Sequence, residues 1–184
     1  FDVALEWYLE SGGILAAGVF YKDIDNPIFT RFTELEDADF EGRFFSELVI
    51  ETTDNAESGE IFGVELNYQQ ALVGLPAPFD GLLFGLNYTY TDAEGDALGR
   101  DIDLPASSKH TLNAMVGYEK GPVSLRAAAS YRDKYLDELG GSAEEDRYVE
   151  DHLQWDITAR YRVTEQVQVF GELINVGDEP YTAY

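Results

Sequence analysis

The residues able to make or break bonds are few in this chain, and their spacing suits binding better than catalysis. No cysteine is present, so neither a thiolate nucleophile nor a disulfide framework is available. The two histidines, His110 and His152, each fall where an alternating stretch leaves a long loop. They read either as polar rim residues or as ligands to a metal or haem. No Ser-centred elbow, His-Glu-x-x-His helix or Gly-rich phosphate loop occurs. Asp92-Ala93-Glu94-Gly95-Asp96 has the acids of a calcium loop, but its glycine and terminal acidic ligand are misplaced. With 36 Asp and Glu residues, chance carboxylate pairs carry no catalytic weight. The expectation is a non-enzyme with no cofactor.

Two other sets have a binding character. Glu6, Glu65, Asn67, Asn87, Asn113, Arg126, Arg132, Asp156, Arg160 and Arg162 share one parity of the alternating stretches. If those stretches wall a channel, this set lines it. It forms either an internal ion-pair network, holding adjacent strands or facing a plug in the channel, or an arginine wall for an anionic ligand. The second set mixes aromatics with cations in the loops: Phe29, Arg31, Phe32, Arg43 and Phe44 in one, Tyr135, Arg147 and Tyr148 in another. That mix suits either a ligand or ordinary loop packing.

What must position these residues is a series of strands. Phe1, Val3, Leu5, Trp7 and Leu9 alternate with Asp2, Ala4, Glu6, Tyr8 and Glu10, which is period two. The same pattern recurs with Leu15 to Tyr21, Phe62 to Tyr68, Leu82 to Tyr90, Leu112 to Tyr118, Val123 to Tyr131 and Leu153 to Tyr161 as apolar rows. An eighth stretch, Val167 to Val176, loses its alternation near Gly171, where a bulge is expected. Each run is about the length a tilted strand needs to cross a bilayer. The longest apolar run, Ile14 to Tyr21, is too short for a membrane helix.

Connections alternate in length. Ser11–Gly13, Gln69–Asp80, Glu119–Pro122 and Thr164–Glu165 are the shorter set; Asp25–Asp54, Asp92–Ser108 and Asp133–Asp151 are the longer. Outer-membrane barrels sort their connections this way, with short periplasmic turns and long extracellular loops. Outward aromatics gather at both ends: Trp7, Tyr68, Tyr118 and Tyr161 near the short turns, Tyr21, Tyr90, Tyr131 and Trp155 near the long loops. Two aromatic belts around an apolar band fit the two headgroup levels of a membrane. The long loops also hold most of the acids behind the net charge of −24. That charge excludes nucleic acid as a partner. The acidic loops are expected to be solvated surface or to bridge divalent cations, between loops or to lipopolysaccharide. Within the first, Ile28 to Phe32 and Phe44 to Ile50 are expected to extend the flanking strands.

Several strings carry a family likeness: Gly18-Val19-Phe20-Tyr21-Lys22-Asp23-Ile24, Gly63-Val64-Glu65-Leu66, Leu75-Pro76 with Phe79-Asp80-Gly81-Leu82, Asn87-Tyr88-Thr89-Tyr90-Thr91, Leu104-Pro105-Ala106-Ser107-Ser108-Lys109-His110, and Leu173-Ile174-Asn175-Val176 before Asp178-Glu179-Pro180-Tyr181. In order and spacing they resemble the C-terminal part of the barrel of a TonB-dependent outer-membrane receptor. The resemblance implies an all-β fold, an antiparallel transmembrane barrel of roughly 22 strands of which about eight are seen here as an open sheet. Residues 1–184 would be a partial barrel domain, with plug and final strands absent. It implies energy-coupled uptake of a scarce nutrient, foremost a ferric siderophore, with cobalamin, haem or an oligosaccharide as other cargoes. It implies as partners outer-membrane lipid and lipopolysaccharide, the receptor's own plug and the TonB complex. Two other classes stand beside it: a small passive barrel (pore or adhesin) of about eight strands, and a secreted acidic β-sandwich that binds glycans. The partial-barrel reading expects Val3–Leu9 and Val167–Val176 to be free edges.

Overall fold

The computed structural model describes residues 1–184. In chain order the strands are β1 (Asp2–Tyr8), β2 (Ile14–Asp25), β3 (Ile28–Phe40), β4 (Arg43–Asn55), β5 (Ser58–Ala71), β6 (Leu82–Ala97), β7 (Arg100–Asp103), β8 (His110–Lys120), β9 (Val123–Arg132), β10 (Tyr135–Glu138), β11 (Arg147–Val149), β12 (His152–Arg162) and β13 (Gln168–Leu173). There is no α-helix; one 3₁₀ turn, Phe79–Gly81, leads into β6. The main sheet runs β1-β2-β5-β6-β8-β9-β12-β13, antiparallel throughout, with β7 appended to the far end of β6. β1 and β13 are its two edges and do not pair with each other. The sheet is therefore open, and the ladder that a closed eight-stranded barrel needs is not formed.

Register explains the two faces. Trp7, Leu15, Tyr68, Leu86, Ala114, Ala129 and Trp155 lie directly opposite one another across seven strands. The next row, facing the other way, is Glu6, Ala16, Asn67, Asn87, Asn113, Ser130 and Gln154. Across these seven strands one face is thus mainly apolar and the other mainly polar or small. A one-residue slip anywhere would exchange them, so the pattern fixes the pairing. The first row also accounts for both aromatic belts. It crosses six strand spacings of about 4.8 Å. With a strand tilt of about 35–45° that row climbs roughly 17–20 Å, most of a lipid-facing band of about 25 Å. Trp7 therefore stands at the short-turn rim and Trp155, in the same row, near the long-loop rim.

Only 15 of 184 residues are buried, so no second sheet covers either face of the main one. That absence of stacked layers does not fit the β-sandwich alternative. Leu66, Leu86, Val116, Leu125, Trp155 and Ile157 are exposed along the apolar face. The one packed core lies among the long-loop elements: Phe29, Ala56, Ala97, Ile102, Leu136 and Leu139, with Tyr148 against it.

Three expectations are corrected. Asp25–Asp54 is not a loop whose apolar pieces lengthen the flanking strands. β2 and β5 do lengthen, pairing from Asp25↔Ser58 onward, but Ile28–Asn55 folds into its own two-stranded sheet, β3–β4. Glu41 and Gly42 turn it with φ of 50° and 77°, the left-handed pair of a two-residue hairpin loop. Asp92–Ser108 and Asp133–Asp151 are likewise partly strands, since β6 runs to Ala97 and turns through Leu98 and Gly99 into β7, while β10 pairs β11. Finally, Gly171 is not at a bulge. It pairs with Ala159 in unbroken register, and the alternation fails because Phe170 points to the polar face, opposite Arg160. β13 stops at Leu173, where Asn175 takes a φ of 51° and closes a turn, its side chain accepting from the Glu179 N–H at 2.9 Å and donating to the Glu179 carbonyl at 3.0 Å.

Candidate ligand-contact surface at the long-loop end

At the long-loop end of the polar face, β9 closes with Arg132 and β12 opens with His152, its direct partner. The Arg132 guanidinium lies over the Tyr135 ring, 4.3 Å from its centroid, and 5.9 Å from that of Tyr181. The two phenol oxygens are hydrogen bonded at 2.8 Å. The His152 ring is tilted 60° to Tyr181 at 6.3 Å, and its Nδ1 is buried with no partner. Beside this group the Lys134 ammonium lies 4.6 Å from the Tyr148 ring and 4.7 Å from Tyr184, and donates to the Tyr184 hydroxyl. Burial pushes the phenols of Tyr135 and Tyr148 up. They therefore stay neutral near neutral pH, as hydrogen-bonding rims to π faces under cations.

The other loop candidates are spread out. Phe29 is packed in the core. Arg31 has a buried Nε without a partner and bridges toward Leu139, and the Phe32 N–H donates to the Leu139 carbonyl at 3.1 Å. Arg43 and Phe44 sit at the far end of β4, about 40 Å of strand from its base. Tyr135 is 7 % exposed. Arg147 is engaged at 2.5 Å by Asp137 and 2.8 Å by Glu138, so its charge is matched locally. The structure thus brings Tyr135 together with Arg132, a member of the polar-face set, and sets Tyr148 in a separate neighbouring group with Lys134 and Tyr184. His152, expected as a polar rim residue or a ligand, does stand at this rim, and the structure adds Lys134, Tyr181 and Tyr184. The only trace of these three in sequence is an excess of aromatics and cations beside strand ends.

The polar-face set lies where expected on the strands. Asn67 donates to Asn87, and the Ser130 hydroxyl to Asn113 at 2.9 Å. Glu65 stands in the row that runs through Thr89, Thr111 and Arg132 to His152. Asp156 accepts from Gln154 at 2.9 Å and from the Asn175 N–H at 2.9 Å. Arg126, Arg132, Arg160 and Arg162 have no carboxylate within 4.0 Å, so no ion-pair network joins neighbouring strands here. Arg126, Arg160 and Arg162 stay without a carboxylate partner on the polar face, and Arg132 is engaged by the Tyr135 ring instead.

Beyond the rim, four acids face one another across four strands: Asp23, Glu60, Glu94 and Asp103. Opposed like charges weaken a ladder. Lys109 offsets part of this, 3.7 Å from Asp92 and 3.9 Å from Asp103. Asp101 shares a hydrogen bond with Asp96, which with their like charge pushes its carboxyl up. The acids run in a row and do not converge as a group that could hold a metal ion. The main anchor of the loop layer is Arg100, bound to both oxygens of Asp146 at 2.6 and 2.7 Å; Asp146 also accepts from the Gly140 N–H at 3.0 Å.

Comparison with known proteins supplies the context for this wall. Residues 1–176 match the model for the TonB-dependent receptor-like β-barrel. No curated protein sequence matches the chain. Among solved structures, the ferric-catecholate import receptor Fiu from E. coli K12, in its closed form, has a TM-score of 0.68 at 19% identity. It is covered over 98% of this chain and 23% of its own. A variant of the ferric enterobactin receptor PfeA from Pseudomonas aeruginosa, in complex with enterobactin, gives 0.60 at 16% identity, covering 95% and 25%. A second PfeA variant gives 0.60 at 15%, covering 96% and 25%. The chain thus spans about a quarter of the length of the solved proteins it resembles. The matched residues take in every strand of the sheet, and the chain belongs to the TonB-dependent receptor family, as part of its β-barrel.

Proposed function

We propose that this chain forms part of the barrel wall of an outer-membrane receptor that captures a ferric siderophore for TonB-dependent uptake. In that receptor the apolar face meets lipid, the polar face meets a plug, and the energy-coupling complex acts through parts outside these residues. The observation that carries the cargo class is the group of Arg132, Tyr135 and Tyr181 at the long-loop end. The Arg132 guanidinium, held from beneath by the buried Tyr135 ring, and the exposed Tyr181 ring offer a positive charge and an aromatic face to a bulky anionic aromatic chelate. The siderophore receptors among the structural relatives support the same class. The acts are capture and release, and no covalent step is needed.

The test uses the complete receptor that contains this wall. Ferric catecholate, ferric hydroxamate, haem and cobalamin are each titrated, and tryptophan quenching is read. Saturable binding of a ferric chelate is expected, weakened by Arg132→Ala by about 1–2 kcal/mol, the scale of one desolvated cation–π contact. Saturable binding of haem or cobalamin alone would replace the siderophore by another cargo. No saturable binding of any of the four would remove the uptake reading.

A further inference from the structure

We infer that the turn between β5 and β6 is a membrane anchor that lies in the headgroup region of the periplasmic leaflet. The inference rests on the outer-membrane reading above and assigns a role to a segment the ligand site does not use. In a chain of net charge −24, Leu66 to Phe79 is the longest run without a charged residue. Asp80 follows as the only charge before Thr91, and Lys120, the last residue of β8, binds it at 2.5 Å. The turn is therefore electrically neutral where the long-loop end is heavily acidic.

Its apolar side chains are held outside the fold. Val73 is 69% exposed, Phe79 55% and Leu75 41%. This exposure is built in. The Leu72 N–H donates to the Leu82 carbonyl at 2.8 Å and the Phe79 N–H to Pro76 at 3.0 Å. Gly81 packs against the Glu119 carbonyl so closely that a Cβ there would lie 2.6 Å from it. The turn is thus fixed in shape and tied to its neighbour. It also continues the lipid-facing surface directly, since Tyr68 ends the apolar row of β5 and Leu82, opposite Tyr118, begins that of β6. Apolar and aromatic side chains at this level favour the boundary between headgroups and acyl chains over water. The neutral surface also meets no repulsion from anionic lipid, as an acidic turn would. The occupant that fits is phospholipid of the inner leaflet.

The chain lacks cysteine, so single sites can be labelled cleanly. Val73→Cys and Phe79→Cys, with Val116→Cys on the lipid face and Glu165→Cys on the polar β12–β13 turn as references, are made in the complete receptor. Each carries a fluorescent label in phospholipid vesicles. Labels at 73 and 79 should be quenched several-fold more by a nitroxide carried on the lipid headgroup than by aqueous iodide, with position 165 reversed. Iodide-dominated quenching at 73 and 79 would place the turn in water and overturn the inference. Protection from both quenchers would mean that protein covers it, which overturns it equally. Quenching at 116 by a second nitroxide carried along the lipid acyl chain shows independently that the membrane reading holds, so its loss there would be a separate failure.

Discussion

Val116 and Tyr118 stand two residues apart in one apolar row of β8, yet they should respond very differently to a charge. Arg at Val116, or at Leu86 near the middle of the β6 span, should cost about 2–4 kcal/mol, and Arg at Tyr118 about 0–1 kcal/mol, in folding titrations into vesicles. Equal penalties would contradict a lipid-facing row. At this scale the sequence is informative wherever parity decides the outcome. Asn67, Asn87 and Asn113 could be placed on one face because period two leaves no other choice. Contacts made between loops follow no period. Nothing in the spacing pairs Arg100 with Asp146, or Tyr135 with Tyr181, since those meetings depend on how separate hairpins dock. The Arg100–Asp146 pair has its own test. Asp146 is 4% exposed and Arg100 24%. Asp146→Asn should lower the opening free energy of residues 139–149 by about 1–3 kcal/mol, a buried-pair value discounted for the partly exposed arginine. Hydrogen exchange should show the loss there and not in β8 or β9.

The elements divide along the same line. Seven strands of the main sheet are legible from long, regular alternation, while β13, short and with Phe170 on the polar face, is legible only as a stretch whose pattern breaks. The β3–β4 hairpin and the short strands β7, β10 and β11 are not. Their alternation is broken by acids, and their turns use Glu41-Gly42 and Leu98-Gly99, without the Asn or Asp that usually announces a left-handed pair. One of these elements should respond to acid. The Asp101 carboxyl is held above its ordinary range by the hydrogen bond and like charge of Asp96. A carboxyl raised in the folded state binds its proton more tightly there than in the open state. The β6–β7 contact should therefore strengthen as pH falls through the folded value and weaken above it. Asp80 has the opposite sign. Its hydrogen bond to Lys120 holds it below the usual range, so that contact persists above the unfolded value and is lost only as pH falls through the lower folded one. Exchange of the Arg100–Asp103 amides, corrected for its intrinsic pH dependence, should slow on mild acidification in the parent. In Asp96→Asn it should not change.

The molecule as a whole is a sheet with two dissimilar faces and two unpaired edges. Its open edges would leave N–H and C=O groups unsatisfied in lipid, where each costs several kcal/mol, so in a bilayer β1 and β13 require further strands beside them. Its scarcity of buried residues follows from its single layer, since no second layer of the chain covers either face, as the proposed wall between lipid and lumen requires. The central claim is that these faces meet lipid and lumen in strict alternation. A cysteine scan of β8 from Thr111 to Tyr118 in the reconstituted receptor tests it most directly, with each site carrying a nitroxide and its accessibility to dissolved oxygen compared with that to an aqueous nickel chelate. Oxygen accessibility should rise at Leu112, Ala114, Val116 and Tyr118 and fall at Thr111, Asn113, Met115 and Gly117. Accessibility without a period of two, or nickel contact at Ala114 and Val116, would contradict the claim.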